Sequence, residues 1–149
     1  MKALRYLPTA ARLLLGLVFV VFGLNGFLQF LPMPPVTGAP AAFFGALLAT
    51  GYLFPLIKGT EVIAGALLLG NRFVPLALAL LAPVVVNIVL FHTFLTPPNP
   101  IAFGVLALEV YLAWAYRRAY RTMLAARVST DDASIRESDE TSAPRVAAT

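Results

Sequence analysis

Long apolar stretches, separated by short polar or proline-rich connections, make up most of the chain. A helix crosses a bilayer with about 20 mostly apolar residues. Four stretches reach or approach that length, at residues 13–31, 52–69, 73–95 and 101–120. The pattern predicts an all-α protein, an integral membrane four-helix bundle formed by a transmembrane domain of residues 1–120.

The apolar segment that contains the second span is too long for one upright helix. Residues 41–70 would measure roughly 45 Å as a single helix, against a hydrocarbon core of about 30 Å. The pair Thr50-Gly51 and the following Pro55 offer a break. We therefore predict a short helix over residues 41–49 that lies at the membrane surface between helices one and two.

The two ends of the chain differ from this apolar part. Residues 121–149 are rich in Ser, Thr, Ala and mixed charge, a composition that predicts a disordered cytoplasmic tail. The basic start before an apolar run is also compatible with a cleaved signal peptide, and Ala39-Pro40-Ala41 loosely resembles a cleavage site. Because the run is longer than a usual signal core, a retained anchor is the better interpretation.

Composition agrees with a membrane protein, because 60% of the residues are hydrophobic and 12% are charged, whereas about a quarter of a soluble domain is charged. The chain contains no cysteine and one histidine. This excludes disulfides, thiolate chemistry and iron–sulfur ligation, and it excludes two haem ligands from one protomer. The sequence also carries no Gly-rich phosphate loop, Ser-His-Asp order or zinc-binding helix motif.

The formal charge of +4 could suggest nucleic acid, but the positions of the basic residues indicate membrane orientation instead. Residues 32–40 and 96–100 contain no Lys or Arg. By the positive-inside rule both termini are cytoplasmic. The basic residues on that side are Lys2, Arg5 and Arg12 before helix one, Arg72 between helices two and three, and Arg117, Arg118, Arg121 and Arg127 after helix four.

Seven polar side chains inside the predicted spans are candidates for a functional site, because a central charge costs about 2.5–3.5 kcal/mol on insertion scales. Counted at 1.5 Å per residue, all of them lie between the midplane and the outer surface. We predict a polar pocket in this outer half of the bilayer. Its residues are Asn25 and Gln29 of helix one, Lys58 and Glu61 of helix two, Asn87 and His92 of helix three, and Glu109 of helix four.

Spacing indicates how these groups pair. Lys58 and Glu61 are three residues apart, so both project from one helix face and are expected to form an ion pair. Glu109 then has no obvious base, and it is expected to be protonated or to share Lys58. A hydrogen bond to His92 or Asn87 is the other alternative. Such an acid suits proton exchange or donation of a hydrogen bond to a bound headgroup or carbonyl.

A structural role is the alternative for the same residues, because polar side chains commonly join membrane helices. For the three amides this structural role is the favoured one. A metal site formed by Glu61, Glu109 and His92 lacks any recognisable ligand spacing, so no metal is expected. Close approach between helices is expected at Gly16, Gly23, Gly26, Gly59 and Gly65.

The same residues resemble the DoxX-like family of small four-helix membrane proteins, over roughly residues 10–120. The resemblance lies in three patterns. They are Arg12-x3-Gly16-x2-Phe19-x3-Gly23 in helix one, Lys58-x2-Glu61-x3-Gly65 followed by Leu67-Leu68-Leu69-Gly70 in helix two, and Asn87 with Phe91-His92 in helix three.

This resemblance implies a multi-pass protein of the bacterial cytoplasmic membrane. It implies an accessory subunit of a membrane redox or oxidative-stress system, not an enzyme on its own, whose pocket holds a quinone or a lipid. The expected partners are the lipid bilayer and either a membrane redox complex or further copies of the chain, with no nucleic acid. The alternative is an assembly or scaffold protein whose polar layer is structural.

The predicted topology can be tested with reporter fusions at residues 36, 72, 98 and 149. We expect cytoplasmic signals at 72 and 149 and outer-side signals at 36 and 98, because the basic residues mark the inner connections. An outer-side signal at residue 149 would contradict the orientation.

Overall fold

The computed structural model describes residues 6–121, and within this range every regular element is helical. The all-α prediction is therefore confirmed. Of the predicted tail, only Arg121 belongs to the described residues. The helices are α1 (Leu7–Leu28), α2 (Ala39–Ala49), α3 (Leu53–Leu69), α4 (Val74–Phe94) and α5 (Pro100–Ala115), followed by a short 3-10 helix at Arg117–Tyr120.

Helix α1 begins earlier and ends earlier than the predicted span. Pro8 stands in its first turn, where the missing N–H costs nothing. The helix ends at Leu28 because Gln29 adopts a left-handed conformation with φ 50°. Arg12 was expected among the basic residues before this helix, and that expectation is wrong because Arg12 lies inside α1 and is buried.

The predicted break between the short helix and the second span is confirmed. Gly51 has φ +74°, a conformation that glycine adopts without steric cost. The Thr50 hydroxyl donates to the Leu47 carbonyl at 2.7 Å and accepts from the Leu53 N–H at 3.0 Å. These contacts end α2 and begin α3, and the two helix axes are bent by 92° at the break.

Helices α1 and α4 are each long and apolar enough to cross a membrane, and the bent pair of α2 and α3 would make a third span if counted as one. Helix α5 is apolar but shorter, with 16 residues. Many large apolar side chains on these helices are exposed. The helices of the described part of the chain are therefore consistent with a membrane protein.

The four longer helices pack in a cycle. Helix α1 contacts α3 and α5, and α4 contacts the same two helices, while α2 contacts α3. Most of the side chains buried between these helices are apolar. The largest fully buried ones are Leu15, Leu68, Leu78, Leu81, Val85 and Leu112.

Glycines bring α1 and α3 into backbone contact. A Cβ atom on Gly16 would lie 2.9 Å from the carbonyl oxygen of Gly65, and a Cβ atom on Gly65 would lie 2.9 Å from that of Gly16. The expectation of close approach is confirmed at these two positions and at Gly23 and Gly26. It is wrong at Gly59, where a Cβ atom would meet nothing within 4 Å.

Arg12 joins the same two helices at one end. Its guanidinium Nη1 donates to the carbonyl oxygens of Leu68 and, at 3.2 Å, Leu69. The last carbonyls of a helix have no partner within the helix, so a buried cation there supplies the missing hydrogen bonds. Its positive charge also interacts favourably with the negative end of the helix dipole. This contact shows that α1 and α3 run antiparallel.

Candidate functional site

Lys58 and Glu61 form the predicted ion pair on α3. The Lys58 ammonium Nζ donates to both carboxylate oxygens of Glu61, at 3.0 Å to Oε1 and 2.8 Å to Oε2. The Glu61 side chain is 4% exposed and the Lys58 side chain is 21% exposed. The pair therefore has a buried acid and a partly open base.

The stem of Lys58 lies against α1. A Cβ atom on Gly26 would come within 2.6 Å of Lys58 Cγ and 2.7 Å of Cδ, so only glycine leaves room for this side chain. Lys58 Nζ also lies 6.0 Å from the centre of the Phe54 ring, at the outer limit of a cation–π contact. The glycine at position 26 thus leaves space for the stem of Lys58 to lie against α1.

Glu109 is the second acid inside the bundle. It is 6% exposed, and neither of its carboxyl oxygens has a hydrogen-bond partner within residues 6–121. The expected bonds to Lys58, His92 or Asn87 are therefore not formed. A buried carboxyl group without partners is costly, which makes Glu109 the least satisfied buried side chain in the described part of the chain.

The two acids lie at similar depth. Glu61 is eight residues into α3, about 12 Å along the helix, and Glu109 is nine residues into α5, about 14 Å. Both helices contact α1 and α4. The buried apolar residues Phe19 of α1 and Val85 of α4 lie at about the same depth, because each is nine residues before the end of its helix. The acids thus share a layer with apolar side chains.

The predicted helix-one amides lie at the end of α1 and differ in burial. Asn25 is buried, and its Oδ1 accepts the Leu31 N–H at 2.7 Å. Its backbone carbonyl accepts the Gln29 N–H at 3.0 Å, so Asn25 closes the helix end. The Gln29 side chain is exposed. Asn25 therefore stabilises the end of its own helix and does not join two helices, which was the structural role favoured for the amides.

The two polar residues of α4 also differ in environment. Asn87 is exposed on the outer surface of the helix instead of facing the interior. His92 is half-buried, and its Nδ1 lies 2.9 Å from the Ile88 carbonyl oxygen. A carbonyl only accepts hydrogen bonds, so Nδ1 carries a proton and donates it to Ile88. The structure therefore brings His92, but not Asn87, to the end of the bundle near α2.

An aromatic cluster joins α2 to this end of α4. The Phe91 ring lies 5.5 Å from Phe43 and 5.3 Å from Phe44, centre to centre, and 5.2 Å from the His92 ring. Such distances are typical of attractive aromatic pairs. We name Phe43, Phe44 and Phe91 the aromatic cluster. The sequence interpretation did not identify it, although adjacent Phe residues on a short helix next to a polar layer are a usable signal.

No group of three His, Asp or Glu side chains within residues 6–121 is placed to hold a metal ion. Comparison of the chain with models of known protein families, with curated proteins and with solved structures finds no match. The resemblance to DoxX-like proteins stays a prediction, and the site is described from its own geometry.

The ion pair can be tested by a double-mutant cycle on unfolding in detergent. Lys58→Met leaves the Glu61 carboxylate buried without a partner, which typically costs about 3–5 kcal/mol. The double variant Lys58→Met/Glu61→Met removes both charges and should lose less stability. We expect a coupling energy well above about 0.5 kcal/mol, the usual error of additivity.

Glu109 supplies the control for this cycle. Because Lys58 donates to Glu61 and not to Glu109, the effects of Lys58→Met and Glu109→Met should add to within about 0.5 kcal/mol. Strong coupling of Lys58 to Glu109 with none to Glu61 would contradict the observed pairing.

Proposed function

We propose that the chain is a DoxX-like four-helix bundle of a bacterial cytoplasmic membrane that binds a quinone or a lipid at the end where α2 crosses the bundle. In this proposal it serves as an accessory subunit of a membrane redox or oxidative-stress system, and the chemistry belongs to its partners.

The membrane part of the proposal rests on helix lengths and directions. Helices α3 and α5 have 17 and 16 residues, about 26 and 24 Å, so each approaches the hydrocarbon thickness. The 92° bend before α3 suits a helix that lies along the membrane surface. In this proposal α3 and α5 join α1 and α4 as four spans, with both termini on one side of the membrane.

The observation that carries the ligand proposal is the partly exposed side chain of Lys58. An ammonium group has three N–H donors, and two of them reach the carboxylate oxygens of Glu61. The third donor and the 21% exposure of the side chain leave the charge able to bind a further oxygen. A quinone carbonyl and a lipid phosphate are two oxygen acceptors that a membrane supplies.

The aromatic cluster supports the same site. Helix α2 packs on α3, while its Phe43 and Phe44 contact Phe91 of α4. A flat ring between α2 and the bundle would gain the same kind of contact that these rings make with one another. Below this end, the unpartnered carboxyl group of Glu109 offers a hydrogen bond to a ligand that penetrates further.

A scaffold function is the second candidate, and a specific observation favours it. Arg12 and Asn25, both buried polar residues, bond to backbone groups at helix ends. Those contacts stabilise the fold without any ligand. In this reading the ion pair has the same purpose, and an assembly partner recognises the outside of the bundle.

Ligand binding can be tested by mass spectrometry of the protein extracted from membranes, followed by titration with a short-chain quinone and, separately, with anionic phospholipid in nanodiscs. We expect one of these two to bind stoichiometrically. The double variant Phe43→Ala/Phe44→Ala should bind about tenfold more weakly, because it removes two aromatic contacts.

Phe73→Ala is the matched control, since Phe73 is exposed at the opposite end of the helices. Glu109→Gln should keep the melting temperature and lose retained ligand, whereas a purely structural Glu109 would lose both. Equal affinity of the Phe43/Phe44 variant and the wild type, or no bound quinone or lipid, would contradict the proposal and favour the scaffold.

A further inference from the structure

Asn87 occupies an unusual position for an amide. It lies on the exposed surface of α4, about 10 Å along the helix from Phe94 and about 20 Å from Val74. Its side chain has no hydrogen-bond partner among residues 6–121. Because α4 is apolar enough to cross a membrane by itself, this amide would face hydrocarbon.

Hydrocarbon offers nothing for the amide to bond with, and each unsatisfied polar group there is costly. Exposed Ser and Thr side chains in helices meet this problem by bonding to their own backbone, as Thr93 does with the carbonyl of Val89 at 2.7 Å. Asn87 makes no such bond. Its partner must therefore come from outside the described fold.

The side chains around Asn87 form a regular seam. Six residues of α4 follow one another at alternating steps of four and three, and every one of them is exposed. This is the heptad spacing by which two helices pack along their whole length. The seam consists of Leu76, Leu80, Pro83, Asn87, Leu90 and Phe94.

We infer that this seam is the interface of a homodimer, in which α4 packs in parallel against α4 of a second copy and the two Asn87 side chains bond to each other. An amide carries both hydrogen-bond donors and an acceptor. Two Asn87 side chains related by a two-fold axis can therefore each donate to and accept from the other. A single Asn among apolar core positions is the arrangement that fixes the register of parallel paired helices.

The chemistry of the seam favours a second copy over a lipid headgroup or a charged partner. Helix α4 contains no Asp, Glu, Lys or Arg, so the seam has no charge to offer a phosphate or a polar protein surface. The only polar side chain of the seam is the amide of Asn87. The inference does not depend on the ligand site, because Asn87 points away from the interior that contains Glu61 and Glu109.

The absence of cysteine from the chain allows single-cysteine cross-linking in native membranes. Leu80→Cys places a thiol on the seam, seven residues from Asn87, and should give a disulfide-linked dimer with a membrane-permeant oxidant. Ile63→Cys is the control, because Ile63 is exposed on α3. It lies six residues before the end of α3 at Leu69, and Leu80 lies six residues after the start of α4 at Val74. The Ile63→Cys variant should stay monomeric.

The role of Asn87 is measured by dimer affinity, using energy transfer between labelled copies in bilayers. Asn87→Leu should weaken the dimer about tenfold, since an interhelical hydrogen bond in membranes contributes about 1–2 kcal/mol. Asn87→Gln should retain part of the affinity. The melting temperature of the monomer should not change in Asn87→Leu, which separates lost association from lost folding.

Three results would overturn the inference. Equal cross-linking through residues 63 and 80 would show random collision. Dimer affinity unchanged by Asn87→Leu would show that the amide does not pair. Cross-linking of Leu80→Cys to a different protein, without a homodimer, would assign the seam to another partner.

Discussion

The backbone contact between α1 and α3 at Gly16 and Gly65 sets the positions of the polar residues that these two helices carry. Because neither residue has a side chain, the carbonyl oxygen of each occupies the space that a Cβ atom of the other would need. The two antiparallel helices are then fixed in register. Arg12 reaches the last carbonyls of α3 at one end, and Gly26 leaves room for the stem of Lys58 towards the other.

The polar residues of the apolar helices fall into different physical situations. Arg12 and Asn25 satisfy helix ends, and Lys58 and Glu61 satisfy each other. Glu109 has no partner inside the bundle, and Asn87 has none on its surface within the described residues. In a bilayer, where water does not supply the missing bonds, the last two are the groups that an external molecule would complete. The ligand proposal and the dimer inference each start from one of them.

Much of the helical arrangement was predictable from the sequence, because apolar length, Thr50-Gly51 and proline positions act locally. The Lys58–Glu61 pair was predictable for the same reason, since three residues of helix separate them. Arg12 was misplaced because α1 begins at Leu7, before the apolar run from which the span was counted. Asn87 was misplaced because its environment depends on which face of a helix turns inwards. That direction is set by tertiary contacts, above all by where glycines let backbones meet. Gly59 and Gly65 look equivalent in the sequence, yet only Gly65 meets another helix.

The most direct test of this account compares two substitutions on α3 by unfolding in detergent. Gly65→Ala should lower the free energy of unfolding by about 1–3 kcal/mol, because the new Cβ atom would force α1 and α3 apart. Gly59→Ala should raise it by up to about 1 kcal/mol, because alanine favours the helix and the site is open. Equal effects of the two substitutions would contradict the claim that the α1–α3 backbone contact organises the structure.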